Sequence, residues 1–175
     1  MFFKMRSAYF VAALSTVLSV AAVASAKYKA QDAKIQVHAK GPAGMKIEGK
    51  SSKLVIDEDD KTVTFKTFLN TIDTDNGQRN KHMQERFEAD KHPDIKLTID
   101  KDKIDAGKGG TAPGTLNFHG VSKKVEVKYS VKGKHVHASF DFDVTNHGVD
   151  KEKLCAFSVC AKTDVGVEVD FDLKD

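Results

Sequence analysis

The chain has 175 residues, with 28 Lys and Arg against 25 Asp and Glu, a formal charge of +3 at neutral pH and 40% hydrophobic residues. Lys4 and Arg6 carry two of those charges and belong to a segment expected to be removed, which leaves the remainder near +1. A nucleic-acid partner normally demands a strong basic excess, so that class is excluded, and lysines spread along the whole chain read as a solvated exterior.

A basic start, an apolar run from Ala8 to Val23 and the triplet Ala24-Ser25-Ala26 follow one another in the order of a secretory signal, and cleavage is predicted after Ala26. The run is 16 residues long with Ser15, Thr16 and Ser19 inside it, short of the roughly 20 needed to cross a bilayer. No cysteine follows the cleavage point, so a lipid anchor is not expected. The mature chain is predicted to be periplasmic or secreted, with no integral membrane segment after cleavage. Removing 26 residues from 175 leaves 149, the size of one domain, here 27–175, that buries a core of its own.

In chain order, short β segments are predicted at Ala33–Ala39, Met45–Lys50, Leu54–Asp57 and Lys61–Leu69. Gly41-Pro42 with Gly44, and Glu58-Asp59-Asp60, supply turns between them. From Gly77 to Asp90 the period changes: Arg79, Met83 and Phe87 recur at helical spacing among good helix formers. One helix is expected there, stopped before the pair His92-Pro93. Strands resume at Asp94–Lys101 and Gly114–His119, with Gly107 to Gly114 read as a turn.

Beyond that point the alternation is nearly free of exceptions. Val125, Val127, Tyr129 and Val131 alternate with charged and polar residues; so do Val136, Ala138, Phe140, Phe142 and Val144, and again Val165, Val167, Val169, Phe171 and Leu173. A sustained period of two means strands with one dry and one wet face, the habit of antiparallel sheets. Eight or nine such strands leave no long exposed edge if they close into a barrel, with a two-sheet sandwich as the structural alternative. The expected fold is all-β with one short helix, a lipocalin-like extended antiparallel barrel of about eight strands.

Several of these segments resemble one known family. Gln78-Arg79-Asn80-Lys81-His82-Met83, then Phe87, then His92-Pro93-Asp94-Ile95-Lys96-Leu97, then the run from Gly114 to Val125 containing Phe118-His119-Gly120-Val121-Ser122-Lys123 are similar, in order and spacing, to the YceI-like family of exported lipid-binding or polyisoprenoid-binding proteins. The resemblance extends from about Ile35 to Leu173. It implies a lipocalin-like barrel holding an isoprenoid chain, such as a quinone tail, along its interior, which suits an eight-stranded barrel able to enclose one slender ligand. Two features depart from the family: the opening strand lacks its Asp and His-Ser pair, and Cys155 and Cys160 stand where many members have none.

Residues on the dry phase of their strands, Val63, Phe65, Leu69, Phe118, Val127, Tyr129, Phe140, Phe142 and Phe171, either fill the core or line a tunnel, and sequence alone leaves both open. On the helix, Arg79 and His82 match a pair that the family keeps, and Met83 and Phe87 complete the candidate ligand-binding set. His82 is expected to bind a polar head group, to lock the helix to the barrel rim, or to serve only as a structural hydrogen-bonding residue. His119 before Gly120 reads as fixing a bend.

Catalytic machinery is not expected: Ser51, Ser52, Ser122, Ser130, Ser139 and Ser158 lack a nucleophile-elbow context and no acid pair stands out. No metal is expected either, because His135 and His137 share a wet face with His147 further along and no clear carboxylate or cysteine to complete a set. The acidic stretch Asp57-Glu58-Asp59-Asp60 lacks the glycine and spacing of a calcium loop. In an oxidising compartment Cys155 and Cys160 are expected to form a disulfide. No cofactor is implied beyond a bound isoprenoid quinone or polyprenyl lipid as ligand, and a homodimer is left open. The rival reading is a ligand-free periplasmic stress or interaction protein with a filled barrel.

Overall fold

The computed structural model describes residues 30–173 apart from 106 and 157, so the predicted leader and its cleavage point lie outside the described residues. Strands β1 (Ala30–Lys40), β2 (Lys46–Ser51), β3 (Val55–Glu58) and β4 (Thr62–Phe68) open the fold. Helix α1 (Gly77–Arg86) precedes β5 (Asp94–Asp100), β6 (Gly109–Phe118), β7 (Val121–Lys132) and β8 (His135–Asp143). A small hairpin of β9 (Cys155–Ala156) and β10 (Val159–Cys160) leads to the last strand, β11 (Asp164–Leu173).

All strands but the small hairpin join one sheet in the order β2-β1-β11-β8-β7-β6-β5-β4-β3, and every pairing is antiparallel. The two edge strands therefore run in the same direction, and they are consecutive in the chain. Only residues 52–54 separate them, and four Cα steps of about 3.8 Å reach no further than about 15 Å. The sheet has to curl until its edges meet there. β2 and β3 then act as one interrupted strand, and the architecture is the expected antiparallel barrel of eight walls.

Direction also fixes what gathers at each end. The end of β4 and the start of β5 flank α1, so the helix sits at the end where β1, β6 and β8 finish and β7 and β11 begin. The larger apolar cluster, which includes Leu69, Ile72, Leu97, Leu116, Phe118 and Phe140, runs inward from this helix end. A smaller one around Ala33, Val136 and Phe171 gathers at the far end.

Local chemistry accounts for the elements. In β7 Val125 and Val127 are buried while Lys124, Glu126 and Lys128 are exposed, the pleat's two faces read in order. Asn76 caps α1 by accepting from the Arg79 amide at 2.9 Å. The helix ends at Arg86, a turn before the predicted Asp90, because Glu88 adopts a left-handed φ of 49° that breaks the spiral. His119 and Gly120, with φ of 51° and 76°, form the two-residue turn between β6 and β7, a left-handed pair whose twist suits a hairpin.

One expectation is corrected. The turn predicted over Gly107 to Gly114 ends earlier, and β6 starts at Gly109. Three glycines and Pro113 disguise the strand in sequence. Pro113 is tolerated because the β5 ladder stops at Gly114, leaving one side of β6 an edge, where a missing N–H does no harm.

Candidate functional site

The barrel encloses an apolar cavity of ≈ 690 Å³, within the roughly 300–1,000 Å³ typical of small-molecule sites. Its walls run from Arg79 and Lys162 at the helix end to Val131 and Leu173 at the far end. Ten-residue strands rise about 34 Å, which at a barrel tilt of roughly 40° is about 26 Å of axis.

Side-chain burial carries the mark of a hollow interior. In β11, Val165, Val167 and Val169 face inward and line the cavity, yet they are only half-buried, like the outward-facing residues between them. A filled core would bury them outright. The dry face keeps accessible surface because it borders a void.

All thirteen residues expected to contact a ligand surround this one space. Val63, Leu69, Phe118, Val127, Phe140 and Phe171 are buried in its wall, and Phe65, Tyr129 and Phe142 are half-buried. Phe65 and Phe171 meet with ring centroids 6.0 Å apart at the far end. Tyr129 has a second task, since its hydroxyl accepts from the Asp105 amide at 2.6 Å and ties down the β5–β6 loop. Among the wall atoms the Thr67 hydroxyl is buried without a hydrogen-bond partner.

Helix α1 covers the mouth with one face. Arg79, His82, Met83 and Arg86 stand at i, i+3, i+4 and i+7, spacing that aligns them on one side of a helix, and all four border the cavity. Just beyond, Phe87 packs edge-on against Phe118 at 5.3 Å, and Phe118 against Phe142 at 5.3 Å. Across the opening, Lys40 and Lys162 sit side by side, the Lys162 amide donating to the Lys40 carbonyl at 2.8 Å. Sequence reading missed Lys40, Arg86 and Lys162. Arg86 was legible from its seven-residue spacing to Arg79, whereas nothing local links Lys40 to Lys162.

His82 is exposed, and other residues hold the helix to the rim. His119 Nε2 lies 3.2 Å from Glu88 Oε2, and its Nδ1 3.3 Å from the His147 carbonyl. The His92 ring meets that of His119 at a tilt, centroids 4.8 Å apart, so close to the turn that a Cβ on Gly120 would sit 2.9 Å from it. Glu88, His92 and His119 thus bring three potential metal-ligating atoms within 4.8 Å of one another. Glu88 is already engaged: Lys91 and Lys153 lie 3.2 and 3.6 Å from its other oxygen, and with the Lys91 hydrogen bond foremost they hold its carboxyl below the usual range. Glu88 thus joins the end of the helix to the 151–154 turn through Lys153 and to the β6–β7 hairpin through its contact with His119.

On the same rim Asp143 ties the end of β8 to the approach of β11. It accepts from the Thr145 hydroxyl at 2.6 Å, the Thr145 amide at 2.8 Å and the Thr163 hydroxyl at 2.8 Å. These bonds, the Thr145 hydroxyl first, depress its pKa. Cys155 and Cys160 form the expected disulfide, facing each other across β9 and β10.

The outer-face histidines differ from expectation. His135 and His137 do have carboxylate neighbours, with Nδ1 atoms 2.9 Å from Asp172 and Asp170 on adjacent β11. His147 is remote from them in kind: it is buried, contacts the Val121 carbonyl at 2.8 Å and meets Phe118 and Phe142 edge-on. Register across two strands, invisible in a linear reading, made these pairs.

The YceI-like domain family matches residues 16–174 of the chain. Among solved structures, the fold resembles a polyisoprenoid binding domain from Saccharophagus degradans implicated in plant cell wall breakdown, at 14% identity and a TM-score of 0.63, covering 84% of this chain and 97% of that one. It also resembles BcnA of Burkholderia cenocepacia, at 13% identity and a TM-score of 0.61, covering 81% and 96% respectively. A search of curated protein sequences finds no match. No helix among the described residues is long and apolar enough to cross a membrane.

Proposed function

The chain belongs to the YceI-like family, and from that premise we propose that it is an exported carrier holding a long apolar amphiphile, an isoprenoid quinone or polyprenyl chain, inside its barrel. The observation that carries this reading is the apolar cavity of ≈ 690 Å³ reaching from one end of the barrel to the other. An isoprenoid tail gains about 2.5 kcal/mol for every 100 Å² it withdraws from water, and such a tail has nowhere else to go in an aqueous compartment. The basic start, apolar run and Ala24-Ser25-Ala26 support export to that compartment. The Saccharophagus domain of similar fold is a polyisoprenoid binding domain, which supports the same ligand class.

Binding alone accounts for the cavity, and the role proposed is that of a carrier. Its walls present alkyl and aryl groups with few polar atoms, and the Glu88–His119 contact lies outside them. A ligand-free protein with a filled barrel is disfavoured by the half-buried inner face of β11.

Displacement of a neutral fluorescent probe by prenols of increasing length tests the proposal. Affinity is expected to rise with each isoprene unit and to level off once the tail fills about 26 Å of barrel axis. Prenols of every length failing to displace the probe would end the carrier reading.

A further inference from the structure

We infer that the amphiphile carries an anionic head group, a phosphate or a carboxylate, seated at the helix-side mouth among Lys40, Arg79, Arg86 and Lys162. The inference rests on the carrier reading and specifies the chemistry of its ligand.

Charge is the first ground. The chain as a whole is close to neutral, yet among the described residues the cavity is bordered by four formally charged side chains, all cationic, and by no Asp or Glu. Two come from one face of α1 and two from the junction of β1 with the approach to β11, so the opening is flanked by positive charge on both sides.

The second ground is what these cations lack. Some lysines of the chain are ion-paired, among them Lys50 with Asp75, Lys81 with Glu85, Lys96 with Asp94 and Lys103 with Asp102. Among the described residues, Lys40, Arg79, Arg86 and Lys162 have no such partner. Arg79 and Arg86 are half-buried at the cavity edge, where the dielectric is lower than in water and like charges repel more strongly. A neutral head group leaves that repulsion standing. An anion relieves it, and a guanidinium matches the oxygens of phosphate or carboxylate two at a time.

Thr67 supplies a third, independent ground. It lies one residue before the end of β4, on the helix side of the barrel, and its hydroxyl is buried in the cavity wall without a partner. Buried hydroxyls are almost always satisfied, and a ligand oxygen reaching just inside the mouth satisfies this one.

The test compares ligands that differ only in the head. The purified protein, stripped of lipid, is titrated by displacement of a neutral fluorescent probe with a polyprenyl phosphate, the polyprenyl alcohol of equal length, a long-chain fatty acid and its methyl ester. At least one anion is expected to bind tenfold or more tightly than its neutral counterpart, with the advantage shrinking as salt rises. A preference for the phosphate alone, or for both anions, identifies the head group. In the double variants Arg79→Gln/Arg86→Gln and Lys40→Gln/Lys162→Gln, each checked for an unchanged circular-dichroism spectrum, the ratio of anion to neutral affinity should fall about tenfold. Equal affinity for anion and neutral ligand overturns the inference while leaving the carrier reading intact. A preference that survives in both double variants also overturns it. Failure of all four ligands to bind sinks the carrier reading itself, and this inference with it.

Discussion

Replacing Ala138 by Phe separates a hollow barrel from a filled one. Ala138 lies in β8 opposite Tyr129 and Val169, half-buried and lining the cavity. A buried aromatic ring removes 150–250 Å² from water, about 100 Å² more than alanine, which at about 25 cal/mol per Å² is worth about 2.5 kcal/mol. Freezing the new side chain takes back about 1 kcal/mol, so Ala138→Phe should leave the ligand-free protein as stable as the parent or up to about 1.5 kcal/mol more stable. In a packed core the same insertion costs about 1–3 kcal/mol. Urea unfolding of lipid-stripped protein reads the difference, and probe displacement should show prenol binding weakened at least tenfold because the ring occupies the tail's path. A loss of more than about 1 kcal/mol with prenol binding intact would refute the hollow interior.

Three further outcomes are expected. His119→Asn keeps the left-handed turn, which asparagine tolerates, but loses the imidazole contacts to the His147 carbonyl and to Glu88 beyond α1, so stability should drop by about 1 kcal/mol and amide exchange in α1 should quicken. Asp143 and Glu88 have folded pKa values below their unfolded ones, so the stability they contribute is complete above about pH 5 and disappears as pH falls through the folded values. Unfolding followed from pH 6 to pH 2 should show this loss, and Thr163→Val should flatten it by weakening the hold on Asp143. Reducing the disulfide releases a loop closed over a sequence separation of 5, and the resulting fall should be about 2 kcal/mol in thermal unfolding with and without reductant.

Much of the barrel was legible in the sequence because a half-wet strand writes its two faces in alternation. β7, β8 and β11 showed this plainly, and α1 declared itself by spacing and by the proline that follows. β6 hid its first half, since Gly109, Gly110 and Pro113 carry turn chemistry and only the missing β5 partner makes them acceptable in a strand. The inner wall was legible by phase, from Val63 through Phe171. Its emptiness was not, because periodicity reports which side chains face inward and not how far they reach across. The clasp of Glu88, His92 and His119 and the cationic mouth were equally hidden. Each joins residues from separate strands and turns, and only closure of the sheet brings Lys40 beside Lys162.

Native mass spectrometry of the protein purified from its own host, followed by denaturing extraction, tests the central claim most directly. The account predicts a bound mass that releases an amphiphile with a polyprenyl or similar long apolar tail, in about one copy per chain. Protein that emerges free of lipid, and stays free after incubation with prenols and quinones of several tail lengths, would contradict it.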